Sequence, residues 1–199
     1  MDAYPACSDI FKRRGWYEYC RGLSGHHVEV SKAFARSFNG EKVEFKSLTL
    51  IVIEQSIAEV TGLPIEGDKW FKRVSLMPSD FNYLLVSHHK NLDWHKGIPR
   101  VWLKQEFWDL LYLVQKYVTC EGRFALTFIY HLRLLSHLVK DQKLSLPFYF
   151  LKSLTKMASK CKGHGDIPES YLFHHGLIKM LVVHELRRFG HSWEQFLRF

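Results

Sequence analysis

The chain has 199 residues, of which 47% are hydrophobic and 15% aromatic. That composition excludes a disordered chain, and the length suits one globular domain burying roughly two-thirds of its unfolded surface. The formal net charge of +8 is uneven: residues 1–77 carry 11 Lys and Arg against 10 Asp and Glu, residues 78–160 carry 12 against 6, and residues 161–199 carry 5 against 4.

The basic excess in the middle of the chain suits either a surface for a polyanion or a general aid to solubility. Cys7, Cys20, Cys120 and Cys161 are too few and too scattered for a disulfide scaffold. The first residues lack the apolar core of a secretion signal. No window approaches the roughly 18 uninterrupted apolar residues of a membrane span. The expectation is an intracellular protein, nuclear or cytoplasmic, with reduced thiols and no membrane contact.

Residues 9–22 mix Phe11, Trp16, Tyr17 and Tyr19 with Lys12, Arg13, Arg14 and Arg21, which predicts a helix with an aromatic face. Val30, Ala33, Phe34 and Phe38 predict a second helix over 28–38, ended by Asn39-Gly40. Val43 and Phe45 alternate with charged neighbours, and Leu48 to Ile53 is apolar and rich in β-branched residues. Together they predict a two-stranded hairpin or two short extended segments. Ser56 to Thr61 predicts a short helix with Gly62 as its left-handed cap, and Glu66-Gly67-Asp68 a turn.

Pro78 can open a helix over 79–87, and residues 88–99 predict a loop broken by Gly97 and Pro99. Beyond it the signal is helical. Helices are predicted over 101–118, over 123–140 (apolar on nearly every face, hence buried and central) and over 146–160 with Pro147 in the first turn. A further helix is predicted from Pro168 to Arg188, with Gly190 just past its end, and a terminal one over 192–199 capped by Ser192. The sum is a mainly α fold: a single compact helical domain over 1–199 with a small β-hairpin near the N-terminus. It comprises a helix–hairpin–helix part over 9–73 and a helical bundle part over 78–199.

Arg14-Gly15-Trp16, the helix carrying Val30, Phe34 and Phe38, then Gly40, Val43 and Phe45, then Ile57-Ala58-Glu59-Val60-Thr61-Gly62-Leu63-Pro64 follow one another in order. Over residues 9–73 this order resembles a domain of plant transposable-element proteins and is similar to the related plant mobile domain. Tyr130-His131-Leu132-Arg133-Leu134-Leu135 and Leu172-Phe173-His174-His175-Gly176-Leu177 are similar in style to the helical remainder of such proteins. The resemblance implies a transposon protein or a host gene derived from one. It implies no assigned enzymatic activity and offers no catalytic residue to carry over.

Twelve histidines raise the question of a metal. Cys161 and His164 have a Cys-x2-His spacing, with His174 and His175 ten residues on, and four such ligands could hold zinc tetrahedrally. The alternative is a Gly-rich loop joining two helices. His184-Glu185 begins like the zincin helix motif, but position 188 is Arg, so the second ligand is absent. His131 and His137 lie on the apolar helix and suit core histidines bonded to backbone or hydroxyl groups. Cys120 with His131 could form a nucleophile–base pair, or Cys120 could be an inert thiol. No P-loop, dinucleotide fingerprint or nucleophile elbow occurs, and no cofactor is implied.

The strongest functional surface is a lysine stripe. Lys152, Lys156 and Lys160 recur every four residues and share one helix face, with Lys140, Lys143 and Lys162 near helix ends. Stacked like charges repel, and the phosphates of a nucleic acid would relieve them; the alternative is a solvated face. Lys69, Lys72 and Arg73 beside Trp70 and Phe71 form a second basic–aromatic cluster that suits single-strand stacking, unless Trp70 is a core anchor. Two function classes follow. One is a non-enzymatic binding module that contacts a protein partner, itself or nucleic acid through a basic helical surface. The alternative is a small enzyme with an unrecognised His, Cys and carboxylate site.

Overall fold

The computed structural model describes residues 3–25, 27–45, 48–71, 78–86, 96–120 and 124–197. Helix α1 (Pro5–Arg13) opens on a proline, whose missing N–H is harmless in the first turn. After α2 (Tyr17–Gly22), helix α3 (Val28–Ser37) buries Val30, Ser31, Phe34 and Ala35, the i, i+1, i+4, i+5 stripe of an amphipathic helix. The side-chain oxygen of Asn39 accepts from the N–H groups of Glu41 and Lys42 at 3.1 and 2.9 Å and turns the chain into β1 (Lys42–Phe45).

β1 pairs antiparallel with β2 (Leu48–Ile51), in register from Lys42 opposite Ile51 to Phe45 opposite Leu48. Val43, Phe45, Leu48 and Leu50 are buried, while Lys42, Glu44, Thr49 and Ile51 point outward, the period of two that the alternation predicts. Helix α4 (Glu54–Thr61) is capped at its start by the Ser56 hydroxyl, which accepts from the Ile53 N–H at 3.0 Å. It ends at Gly62, in the left-handed region at φ 71°, whose N–H bonds the Ala58 carbonyl at 2.8 Å.

The later segments depart from simple helical periodicity where backbone groups are committed elsewhere. Residues Pro78–Leu84 form a 3-10 helix. The helix predicted over 101–118 starts as two 3-10 turns, Arg100–Trp102 and Gln105–Phe107. Lys104 N–H bonds the Leu84 carbonyl and Val86 N–H bonds the Trp102 carbonyl, each at 2.9 Å, so this stretch is held as an extended pair and cannot close i→i−4 bonds. Only then does α5 (Trp108–Leu113) form, continuing as a π-helical segment, Val114–Thr119.

The helix predicted over 123–140 likewise starts late. β3 (Ile98–Pro99) pairs with β4 (Leu126–Thr127), which leaves α6 as Ile129–Val139. α7 (Leu146–Cys161) carries Pro147 in its first turn, as predicted. The next segment is not one helix from Pro168: a 3-10 turn, Glu169–Tyr171, gives way to extended Leu172 and left-handed His174 before α8 (His175–Arg188) begins. α9 (Trp193–Leu197) starts with a reciprocal capping box. Gln195 N–H donates to the Ser192 hydroxyl at 3.2 Å, and Ser192 N–H donates to the Gln195 side chain at 2.9 Å. The fold is mainly α, with the small hairpin near the N-terminus. Among the described residues no helix is long and apolar enough to cross a membrane.

The chain divides into two compact units, each drawn from two separate stretches: Met1–Tyr17 with Glu66–Ser145, and Glu18–Ile65 with Leu146–Phe199. In the first, α6 packs against α5 and the 78–84 turn. Arg14 forks onto carbonyls at the C-terminal end of α6, reaching His137 in its last turn at 2.9 Å and Gln142 just beyond it at 2.7 Å, with Asp141 at 3.0 Å. These are charge-assisted bonds to the acceptors that a helix end leaves open. In the second, α3 and α4 each pack on both α7 and α8, and β2 packs on α8.

Two glycines test the backbone account. At Gly67, φ is 116° and an added Cβ would lie 2.5 Å from the backbone of Lys143 and Leu144, because Asp68 and Ser145 exchange bonds with that strand (Asp68 N–H to Lys143 O, 3.0 Å; Ser145 N–H to Asp68 O, 3.1 Å). At Gly62 the same atom would meet nothing within 4 Å. Denaturant unfolding should show Gly62→Ala losing about 1–2 kcal/mol, the left-handed penalty alone. Gly67→Ala should lose more, roughly 2–6 kcal/mol, as strain and overlap add.

Candidate polyanion interface

The surface with the clearest chemistry lies on α7. Its buried residues include Phe150, Ser153, Leu154, Met157, Ala158 and Cys161, spaced three and four apart. That stripe fixes the rotation of the helix against α3 and α4 and leaves Lys152, Lys156 and Lys160 exposed on the other side. The predicted stripe is therefore assembled by one helix face. At 1.5 Å per residue the three lysines span about 12 Å, the axial length of three to four phosphates along one strand at about 3.4 Å each.

Two aromatic rings belong to the same face and were not picked out by the charge pattern. Phe148 continues the four-residue row toward the N-terminus, and the Lys152 ammonium lies 5.4 Å from its ring centroid. The spacing alone could have found it. Tyr171 comes from the 3-10 turn before α8 and places its ring 3.7 Å from the Lys160 ammonium, with His164 edge-on to the same ring at 5.4 Å. Nothing in the sequence signals that contact. The face thus interleaves cations with half-buried rings, the combination that suits single-stranded polyanions. Lys162 follows directly, exposed just past the end of α7.

The remaining predicted cations lie in the other unit. Lys140 is exposed, its ammonium 4.9 Å from the Tyr83 ring. Lys143 pairs with Glu66 at 2.9 Å, and the carboxylate's hydrogen bond and charge raise the lysine's pKa. Lys69 is exposed, and Lys72 and Arg73 lie outside the described residues. Trp70 is buried, and the Arg133 guanidinium sits 4.3 Å from its ring centroid. The core-anchor alternative thus describes Trp70.

The metal candidates have other partners. Cys161 is buried, and burial raises its thiol pKa against the opposing pull of Lys160. Buried His174 lies 2.9 Å from the Ser153 hydroxyl, and His175 lies 2.7 Å from the Ser31 hydroxyl. Among the described residues no group of three or more His, Cys, Asp or Glu side chains could hold a metal ion.

The core histidines are bonded much as expected. His131 accepts at Nδ1 from the Phe128 N–H at 3.2 Å and faces the Thr119 hydroxyl through Nε2 at 3.4 Å. His137 sits with Nδ1 2.9 Å from the Arg133 carbonyl and Nε2 3.1 Å from an Asp68 carboxylate oxygen, so a carboxylate joins the expected backbone partner. Cys120, half-buried, has its sulfur 3.9 Å from the Tyr117 carbonyl.

Comparison with protein-family models, with curated proteins and with solved structures returns no match. The reading of function therefore rests on the residues themselves.

Thiol accessibility offers a direct check of this packing. Burial raises the pKa of Cys7, with a smaller push from Asp109, as it does that of Cys161, and a buried protonated thiol is unreactive. Maleimide labelling of the native chain, mapped by peptide mass, should modify Cys120 first. Cys7, Cys20 and Cys161 should react only at the rate of unfolding. Prompt labelling of Cys161 would contradict the burial of α7.

Proposed function

We propose that this chain is a non-enzymatic binding module, derived from a transposable element, that holds nucleic acid along the exposed face of α7. The observation that carries the reading is the row of Lys152, Lys156 and Lys160, solvent-facing on a helix whose opposite side is buried. Like charges at four-residue spacing repel by a few tenths of a kcal/mol per pair. A line of phosphates removes that repulsion and releases the counterions condensed on the nucleic acid. Lys162 extends the cationic stretch, and Phe148 and Tyr171 give the row apolar flanks on which a base can stack. The resemblance to domains of plant transposable-element proteins supports a module that binds without catalysing.

A second reading, a protein partner or a second copy of the chain, draws on one further observation. Phe189 is 61% exposed and lines a cleft of about 310 Å³ with Leu48, Leu186 and Phe196. An exposed aromatic at a cleft whose walls include the buried Leu48 and Leu186 offers an anchor point for a partner.

Salt titration of binding to an oligonucleotide tests the first reading. Replacing Lys152, Lys156 and Lys160 together by Gln should flatten the slope of log affinity against log salt. The expected change is about 2 for a single strand or about 3 for a duplex, from three lost phosphate contacts. Lys143→Gln, whose ammonium is already paired with Glu66, should leave the slope nearly unchanged. An unaltered slope in the triple variant would remove α7 as the interface and favour the cleft at Phe189.

A further inference from the structure

α8 carries a second set of cations outside the α7 row. Helical spacing puts Lys179, Val183 and Arg187 on one line and Met180 with His184 on the next. Facing them are Gly22 and Ser24, from the end of α2 and the turn after it, and Val60 of α4. These residues line a groove of about 360 Å³, a size within the range of small-molecule sites.

The lining sorts by chemistry. Val60, Met180 and Val183 are apolar. Lys179 and Arg187 are basic side chains, His184 is exposed, and Ser24 adds a hydroxyl. No carboxylate is among the lining residues. The acids next to them in sequence have other partners: Glu59 is bonded by Gln55 at 2.9 Å, and Glu185 pairs with Arg188 at 3.0 Å. Arg187 has no ion-pair partner among the described residues, whereas the Lys179 ammonium leans toward the Trp193 ring at 5.7 Å.

Two cations without a counter-charge beside an apolar floor describe the ligand by complement. Its anionic group must be strong enough to prefer this site to water, because Arg187 stands in the last turn of α8, where the helix dipole opposes an anion. A phosphate monoester carries a charge of about −1.5 to −2 at neutral pH and presents paired oxygens to a guanidinium fork. His184, three residues before Arg187, is its neighbour on the helix surface at about 5–6 Å between Cβ atoms. Lys179 lies about 12 Å along the axis from Arg187, its ammonium beside Gly25, where an added Cβ would fall 2.7 Å from Nζ, and so stands at the other end of the groove. We infer that this groove binds a small organic phosphate, its phosphate held by Arg187 and His184 and its apolar body lying on Val60, Met180 and Val183.

Gly22 supplies a clean way to block it. An added Cβ there meets no atom within 4 Å, so a larger side chain enters open space rather than the core. The test is an NMR titration of the full chain with phenyl phosphate, inorganic phosphate and phenol in parallel. Phenyl phosphate should bind at least tenfold more tightly than either fragment and shift the backbone signals of Ser24, Val60 and Val183. Arg187→Gln should weaken it tenfold or more, Lys179→Gln a few-fold, and Gly22→Phe should abolish it with an unchanged thermal midpoint. The Lys152, Lys156 and Lys160 triple variant should bind it as the wild type does, which separates this site from the α7 interface. Equal affinity for phenyl phosphate and inorganic phosphate would overturn the proposal. So would undetectable binding of phenyl phosphate, or an Arg187→Gln variant that binds normally. Arg187 is exposed, so that variant decides the matter even if Gly22→Phe fails to fold.

Discussion

The rotation of α7 is the constraint on which the functional reading depends. Phe150, Leu154 and Met157 are fully buried, and each such side chain contributes about 1.5–3 kcal/mol by leaving water. Repulsion between neighbouring lysines opposes this by only a few tenths of a kcal/mol per pair. The core therefore wins by about an order of magnitude, and the helix cannot turn to disperse its charges. Lys152, Lys156 and Lys160 stay in line because hydrophobic burial holds them there. A surface whose unfavourable charge arrangement is enforced by packing is one that an anionic partner improves without any conformational change.

The two units reach stability by different means. The second is ordinary: α3, α7 and α8 each bury a largely apolar stripe, α4 buries Ile57 and Thr61, and the hairpin adds one alternating face. The first contains short pieces, with 3-10 turns, a π-helical segment and two-residue strands. Such pieces leave many backbone groups without repeating partners, and buried backbone groups must be satisfied. Side chains do much of that here. Arg14 takes the His137 and Gln142 carbonyls, Trp108 donates to the Leu103 carbonyl at 2.9 Å, and Gln115 donates to the Leu126 carbonyl at 2.8 Å. Burial lowers the pKa of Arg14 and Arg133, yet a guanidinium remains charged at any ordinary pH. Both therefore stay charged while partly desolvated inside an irregular unit, Arg14 as a donor to carbonyls and Arg133 over the Trp70 ring.

This difference explains what was legible in the sequence. In the second unit local signals agree with the tertiary result. Val43 and Phe45 alternate, Gly62 stops α4, Pro147 opens α7 and Ser192 caps α9, each a decision made within a few residues. In the first unit the deciding contacts are long-range. Nothing near residue 104 announces that its N–H will bond Leu84, so the apolar periodicity from Val101 suggests a helix that the pairing of 84–86 with 102–104 prevents. The late start of α8 has a similar cause. His174 adopts a left-handed backbone while its ring reaches Ser153 on α7, a contact spanning 21 residues. The lysine row was legible because helical spacing is arithmetic. Tyr171 beneath Lys160 and the facing of Val60 and Gly22 toward α8 were not, because they bring separate segments together.

The two cation sets of the second unit should also differ in kind. On α7 the three lysines are exposed and successive ones are separated by about 6 Å of helix rise. Attraction at such a surface is screened within a Debye length, about 8 Å at physiological salt, so it favours long anions that touch several lysines at once. In the α8 groove the cations stand beside Val60, Met180 and Val183, where a bound ligand displaces water from both charge and apolar surface. A ligand lacking either the charge or the apolar part would leave one of these surfaces unmatched. On the two proposals above, the first arrangement would select for length and charge density and the second for shape, and the two would act separately, since neither set of side chains appears in the other.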